Sequence, residues 1–335
     1  MKVHARPGRA LAMIVLGLVA LGLALAASIS FGAVKLSLST VWDALFHYQV
    51  DDRQHQVIWE LRLPRALAGA LVGAAFSVSG ALLQGLTRNP LADSGLLGIN
   101  AGSGLVLAVC FAFFPTVPFL GLMGWSFVGA AMGALMIYGI SRASKGGLTP
   151  VRMALAGAAI SAMLIAVSEG IAIMFNVSQD LAFWYSGGIA GVKWMQVELL
   201  WPCIVIGIVL AIIMGRSLSL LGLGEETAAG LGLHIQVIKS MIIFIVILLS
   251  GASVAAAGSI SFIGLIVPHT VRGLVGSDYR YIIPCSAVLG ALLVVLADIG
   301  ARLLNPPLET PIGALIALIG VPFFFVLARR EGGSL

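Results

Sequence analysis

Apolar stretches of bilayer-crossing length recur along the whole of this 335-residue chain, separated by short polar turns. A helix needs about 20 mainly apolar residues to cross the hydrocarbon of a membrane. Water is absent there, so each backbone N–H and C=O must be paired inside the protein, and a helix pairs them within itself. The sequence therefore reads as an all-α, polytopic membrane protein.

Composition agrees. Hydrophobic residues make up 60% of the chain and charged residues only 10%, with a mean hydropathy of +1.08. A soluble domain carries roughly 25% charge, so an apolar soluble core protein is excluded. The formal charge of +5 reads as Lys and Arg in cytoplasmic loops. No basic patch with interleaved aromatics points to nucleic acid. Cys110, Cys203 and Cys285 lie far apart inside apolar runs, which suits neither a disulfide framework nor a metal site. Lys2, Arg6 and Arg9 precede an apolar run from Ala10 to Phe31. That run is too long for a signal-peptide core and reads as an uncleaved first span.

Ten spans are expected, at 10–31, 64–84, 93–114, 119–141, 150–175, 197–214, 238–257, 259–276, 281–303 and 311–328. Turn chemistry at Arg88-Asn89-Pro90, Pro115–Pro118, Lys145-Gly146-Gly147 and Asn305-Pro306-Pro307 separates several of them. Residues 238–276 would be about 58 Å long as one helix, nearly twice the hydrocarbon thickness, so a break is placed near Gly258. Charge bias supports the break. With both termini cytoplasmic, 13 of the 19 Lys and Arg fall inside and only Lys35, Arg53, Arg62, Arg65, Lys193 and Arg302 fall outside. Merging the two spans gives 10 against 9, which loses the positive-inside signal.

Gly69/Gly73, Gly98/Gly102 and Gly129/Gly133 have small-xxx-small spacing, which lets helix backbones approach closely in lipid. One compact permease-type domain over 1–335 is expected, without a soluble appendage. Two segments stand out between spans. Residues 32–61 form a polar outer segment, and residues 215–237 an inner one that reads as a short amphipathic helix, a glycine break and another short helix.

Four blocks carry a family resemblance. The first is Leu61-Arg62-Leu63-Pro64-Arg65 with Gly80–Gln84, Arg88-Asn89-Pro90-Leu91-Ala92 and Leu97-Gly98. The second is Leu223-Gly224-Glu225-Glu226 with Leu231-Gly232, and the third Phe262-Ile263-Gly264-Leu265 with Pro268-His269 and Arg272. The fourth is Asp298, Arg302, Glu309, Pro311, Gly313 and Gly320-Val321-Pro322-Phe323. Together they resemble the FecCD-type permeases of ATP-binding-cassette importers for iron siderophores, haem and cobalamin, most closely those for iron siderophores in Gram-positive bacteria. Ser178-Gln179-Asp180 followed by Phe183-Trp184-Tyr185-Ser186 resembles the catecholate-siderophore branch.

The resemblance implies a multi-pass protein of the bacterial cytoplasmic membrane that translocates an iron(III)-siderophore. Its implied partners are a second permease, identical or homologous, two cytoplasmic ATPase subunits and an extracellular or periplasmic substrate-binding protein. Metal would remain within the cargo, and no protein cofactor is implied. Arg62, Arg65 and Arg302 match positions that pair with glutamates of the binding protein, for which a planar guanidinium fork is suited. Snorkelling at helix ends is the other reading. Gly224, Glu225, Glu226, Ala229, Gly230, Leu231 and Gly232 match the loop that contacts the ATPase, although the same residues also suit an ordinary capped loop. Asn89, Leu91 and Thr149 match the inner constriction, and Asn89-Pro90 also suits a simple turn.

Glu169 belongs to no family block. It sits roughly 9 Å inside the outer end of the fifth expected span, where an acid faces a wet pathway, a buried partner or a snorkelling route. His269 follows Pro268 and reads as structural. No catalytic constellation and no GxxxxGK[ST] loop is present, so ATP hydrolysis is expected in a separate subunit. An ion-coupled secondary transporter is the rival class, but Glu169, Asp298 and His269 are its only candidate relay.

Overall fold

The computed structural model describes residues 6–32, 36–143, 150–185, 188–305 and 310–332. Thr149, Ser186, Glu309 and Lys35 lie outside the described residues. The described chain is all helix apart from turns and loops. In order it forms α1 (Pro7–Ser30), α2 (Leu38–Phe46), α3 (Arg53–Val57), α4 (Leu63–Thr87), α5 (Ile99–Phe113), α6 (Phe119–Ala143) and α7 (Pro150–Met174). There follow α8 (Ser178–Tyr185), α9 (Trp194–Leu221), α10 (Glu225–Gly230), α11 (Ile235–Ala257), α12 (Ile263–Val275), α13 (Tyr279–Leu304) and α14 (Ile312–Gly332).

Among the described residues, seven helical stretches are long and apolar enough to cross a membrane. They fall on the first, second, fourth, fifth, sixth, seventh and ninth expected spans. Three shorter apolar helices, Ile99–Phe113, Ile263–Val275 and Ile312–Leu327, fall on the others. The break expected near Gly258 is present. Gly258 ends α11 with a φ of 69°, and α12 begins after Phe262 at a φ of 70°.

The bundle is built around the span containing α4, whose apolar window is 83% buried, against 17% for α1. α4 packs against α9, α11, α12 and α13, while α1 lies on the outside against α13. Glycine makes the central contacts possible. A Cβ on Gly73 would overlap the Gly290 carbonyl, one on Gly80 the Gly264 backbone, and one on Gly102 the Gly129 carbonyl. These are the close backbone approaches that small residues permit when lipid supplies no hydrophobic drive.

Three boundaries differ from expectation. The segment 32–61 is largely helical. Ser37 accepts a hydrogen bond from the Thr40 N–H and Asp52 one from the Gln54 N–H, the N-cap arrangement. A five-residue π-helical turn at Ile58–Arg62 then fuses α3 to α4, with Pro64 in the first turn of α4, where proline is tolerated. Residues 215–221 are the last two turns of α9 rather than a separate helix, because nothing before Gly222 interrupts helical bonding. Finally, α5 starts at Ile99. Asp93 accepts from the Ser94 N–H to open a single 3₁₀ turn, and Gly98 at a φ of 64° redirects the chain.

Candidate functional site

Arg65 and Arg302 converge on one carboxylate. Asp298, on α13, is 1% exposed. Arg65, in the first turn of α4, donates from Nε to its Oδ1 at 2.9 Å, with Nη2 at 2.8 Å from the same oxygen. Arg302, one turn further along α13, places Nη2 2.8 Å from Oδ2. Arg62 donates to the Ile29 and Ser30 carbonyls at 2.6 and 3.0 Å. Arg302 donates to the Ser28 and Phe31 carbonyls, both at 3.0 Å, and to Ser28 Oγ at 2.6 Å. Those carbonyls are the orphaned acceptors at the C-terminus of α1, and cations there also meet the negative end of the helix dipole. Arg65 and Arg302 thus share one carboxylate, and Arg62 and Arg302 share one helix end. The sequence placed the arginines at neighbouring helix ends and Asp298 in a family block, but did not show that they pair.

A cavity of about 550 Å³ opens beside this cluster. Arg65, Asp180, Trp184, Gln196 and Thr310 line it, with an apolar wall from Leu107, Phe111, Leu122 and Ala255–Gly258. Its floor and walls come from the same ends of α4, α5, α6, α9, α11 and α14, and α8 forms one side. Asp180 and Trp184 belong to the segment that the sequence singled out for its family resemblance. Gln196 is held by its bond to the Lys193 N–H, which closes the first turn of α9.

Glu169 does not line this cavity. It is exposed on the face of α7 that also carries Ile165 and Ile173. The buried side of the same turn is Ser168, whose hydroxyl donates to the Gly104 carbonyl at 3.1 Å. Asn89 and Leu91 lie at the other end of the bundle. The Asn89 side-chain oxygen accepts from the Leu91 N–H at 2.9 Å, and the Asn89 carbonyl from the Ala92 N–H at 3.1 Å, so both form a tight turn. Arg88, at a φ of 51°, ends α4 and donates to the Leu221 carbonyl at 2.9 Å. It thereby caps α9 just where the chain turns into α10. His269 packs edge-on against Phe323 at 5.7 Å, joining α12 to α14.

α10 is a short helix held by few points. Gly224 precedes it at a φ of 129° and Gly232 follows at 84°, backbone states that glycine adopts without strain. Glu225 accepts from Lys239 Nζ at 2.9 Å on both oxygens, and Ala228 is fully buried. Its outward side consists of Glu226, Ala229, Gly230 and Leu231, with Leu223 and Val237 beside it. Nearby, Asp278 caps α13 and ties it to α9. It accepts from the Arg280 N–H at 3.0 Å and from Ser219 Oγ at 3.0 Å, and Arg280 Nη2 lies 2.6 Å away. Burial alone would raise the Asp278 carboxyl, but the bonds from Arg280 and Ser219 outweigh it and hold the group below its usual range.

Known proteins resemble this chain over nearly all of its length. The FecCD transport family profile matches residues 19–330. The chain belongs to the FecCD transport family. It is 53% identical over 322 residues to the iron(3+)-hydroxamate import permease FhuB of Bacillus subtilis, covering 96% of this chain and 84% of that one. It is 41% identical to the B. subtilis iron-uptake permease FeuB, over 94% of each chain. It is 36% identical to the hemin transport permease HmuU of Yersinia pestis, over 95% and 94%. Among solved structures, an inward-facing metal-chelate type ABC transporter aligns with a TM-score of 0.83 at 28% identity, over 95% of this chain and 98% of that one. This chain is accordingly a permease subunit of an importer of that kind, a multi-pass protein of the bacterial cytoplasmic membrane.

Proposed function

We propose that this permease carries an iron(III)-siderophore of the hydroxamate class into the cell as part of an ATP-driven importer. The carrying observation is the 53% identity, over 96% of this chain, to a hydroxamate import permease. That relationship favours a hydroxamate cargo over the catecholate one suggested by residues 178–186. On this reading two permease chains, identical or homologous, enclose the pathway, two separate ATPase subunits work at the α10 end, and a binding protein delivers cargo at the Asp298 end.

The residues divide accordingly. Arg62, Arg65 and Arg302 supply a net positive field for acidic groups of the binding protein. Gly224–Gly232 is the coupling element. Glu169 faces the pathway between the two permeases, and Asn89 and Leu91, with Thr149, form its inner narrowing. The test is uptake of radiolabelled iron by the reconstituted importer, offered ferric hydroxamates, ferric catecholates and haem in parallel. Saturable, ATP-dependent uptake of the hydroxamate alone is the expected result. Uptake of haem alone would move the chain to the class of its 36% identical relative. Uptake that follows a proton gradient without ATP would overturn the importer reading.

A further inference from the structure

Helix α2 has nine residues and three distinct edges. Val41 and Ala44 are buried in a small cluster with Ile29, Ile58 and Ala66. Going round the helix at about 100° per residue, Leu38, Trp42 and Phe46 fall side by side on a second edge, and Ser39 and Asp43 on a third. The second edge is bare. Leu38, Trp42 and Phe46 are 66%, 61% and 62% exposed, and the two rings lie 4.3 Å apart.

The neighbours of α2 indicate what covers that edge. The Leu36 N–H donates to the Ser30 carbonyl at 3.1 Å, which ties the start of α2 to the end of α1. α1 presents Leu11, Leu16, Val19 and Leu23 to the outside, an apolar surface suited to lipid on a span only 17% buried within the chain. Two more indoles sit at the same level. Trp59 Nε1 donates to the Ala44 carbonyl and Trp194 Nε1 to the Trp59 carbonyl, both at 2.6 Å, and the two rings are 5.9 Å apart. Indoles with their N–H satisfied collect at the membrane–water boundary. The third edge carries Asp43, paired with His47 at 3.8 Å, and so belongs to water.

We propose that α2 is an interfacial anchor whose Leu38–Trp42–Phe46 edge lies at the headgroup–acyl boundary of the leaflet at the C-terminal end of α1. Its binding is apolar rather than electrostatic, because α2 itself carries one acid and no Lys or Arg, unlike a basic amphipathic helix that selects anionic lipid. The proposal does not depend on the cargo or on which leaflet faces the cytoplasm.

Spin labels on Trp42→Cys, Phe46→Cys and Asp43→Cys test it, using the full chain in phosphatidylcholine vesicles with Cys110, Cys203 and Cys285 replaced. Labels at 42 and 46 should collide more with oxygen than with a water-soluble nickel chelate, and the label at 43 the reverse. Phosphatidylglycerol or added salt should leave this ordering unchanged. A nickel preference at 42 and 46 overturns the proposal. So does loss of oxygen collisions at those positions only when a binding protein is added, because that marks a protein-docking face. A second reading avoids the cysteine background. Tryptophan quenching by brominated phosphatidylcholine should fall in Trp42→Phe relative to the unchanged chain, and equal quenching overturns the anchor.

Discussion

Arg65 and Asp298 stand 233 residues apart in sequence and meet through two contacts on one carboxylate oxygen, at 2.9 and 2.8 Å. With Arg302 on the other oxygen at 2.8 Å, the pair joins the first turn of α4 to the last turns of α13. Both guanidiniums are mostly buried and the carboxylate almost wholly so. Removing one partner of such a buried pair leaves uncompensated charge and typically costs about 3–5 kcal/mol.

Asp298→Asn should therefore lower the unfolding midpoint of the purified permease markedly, while Asp43→Asn, at an exposed pair, should leave it nearly unchanged. Thermal unfolding followed by size-exclusion chromatography would measure both. Equal midpoints for Asp298→Asn and the parent chain would show that the cluster contributes nothing to stability.

Charge reversal of all three arginines would confuse docking with this structural role. Arg62→Gln is the cleaner variant, since it leaves the contacts of Asp298 with Arg65 and Arg302 in place. Docking of the binding protein should weaken, and its dependence on salt should become shallower, because one charge no longer contributes to the attraction. Assembly with the ATPase should persist. A docking constant and salt slope identical to those of the parent would remove Arg62 from the docking surface.

Glu169 is exposed on an apolar face of α7, and an ionised acid facing lipid at that depth is costly. A wet pathway between two permeases resolves the conflict. Glu169→Cys, in a chain lacking Cys110, Cys203 and Cys285, should react with membrane-impermeant thiol reagents added from the binding-protein side. Reaction with lipid-soluble reagents alone would put the residue against lipid or packed protein.

Asp278 predicts a pH dependence. Burial pushes its carboxyl up, but its bonds to Arg280 and Ser219 outweigh this and hold it below the usual carboxylate range. A carboxyl lowered in the folded state stabilises that state above its unfolded pKa and loses the contribution as pH falls through the folded pKa. The junction of α9 with α13 should thus be at full strength at neutral pH and weaken only below about pH 4. In Asp278→Asn the acid-dependent part of this loss should vanish. Stability curves of the two chains that stay parallel from pH 7 to pH 3 would contradict the assignment.

The sequence carried the spans because lipid demands long apolar runs, a signal that survives without any knowledge of packing. Glycine spacing likewise pointed to the contact faces, as Gly73 against Gly290 and Gly102 against Gly129 bear out. The helical character of 38–62 was hidden. α2 is held by Ile29 and Ala66 from other helices, and local pattern does not report such partners. The pairing of Asp298 with Arg65 was hidden for the same reason, the two lying on different helices. The cavity was half visible. Asp180 and Trp184 were singled out, but Gln196, Thr310 and the α11 wall come together only through the tertiary fold.

The proposed coupling role of α10 rests on how it is mounted. Ala228 anchors one side, Glu225 is tied to Lys239, and Ala229, Gly230 and Leu231 are left outward. A short helix fixed to its own bundle on one side can follow a groove that grips the other, and so transmit a rigid-body movement. Gly230 is the position at which to test this, because a Cβ built there meets nothing within 4 Å of its own chain. Gly230→Phe should consequently fold and insert like the parent, with an unfolding midpoint little changed. The added ring would stand where an ATPase groove must approach closely. Transport and binding-protein-stimulated ATP hydrolysis should fall together, while docking of the binding protein persists. Leu231→Ala, which removes an exposed apolar side chain without adding bulk, should produce a smaller loss of the same kind through weaker ATPase association. If Gly230→Phe assembles and transports at the parental rate, the segment from Gly224 to Gly232 is a connector and the ATPase grips the permease elsewhere.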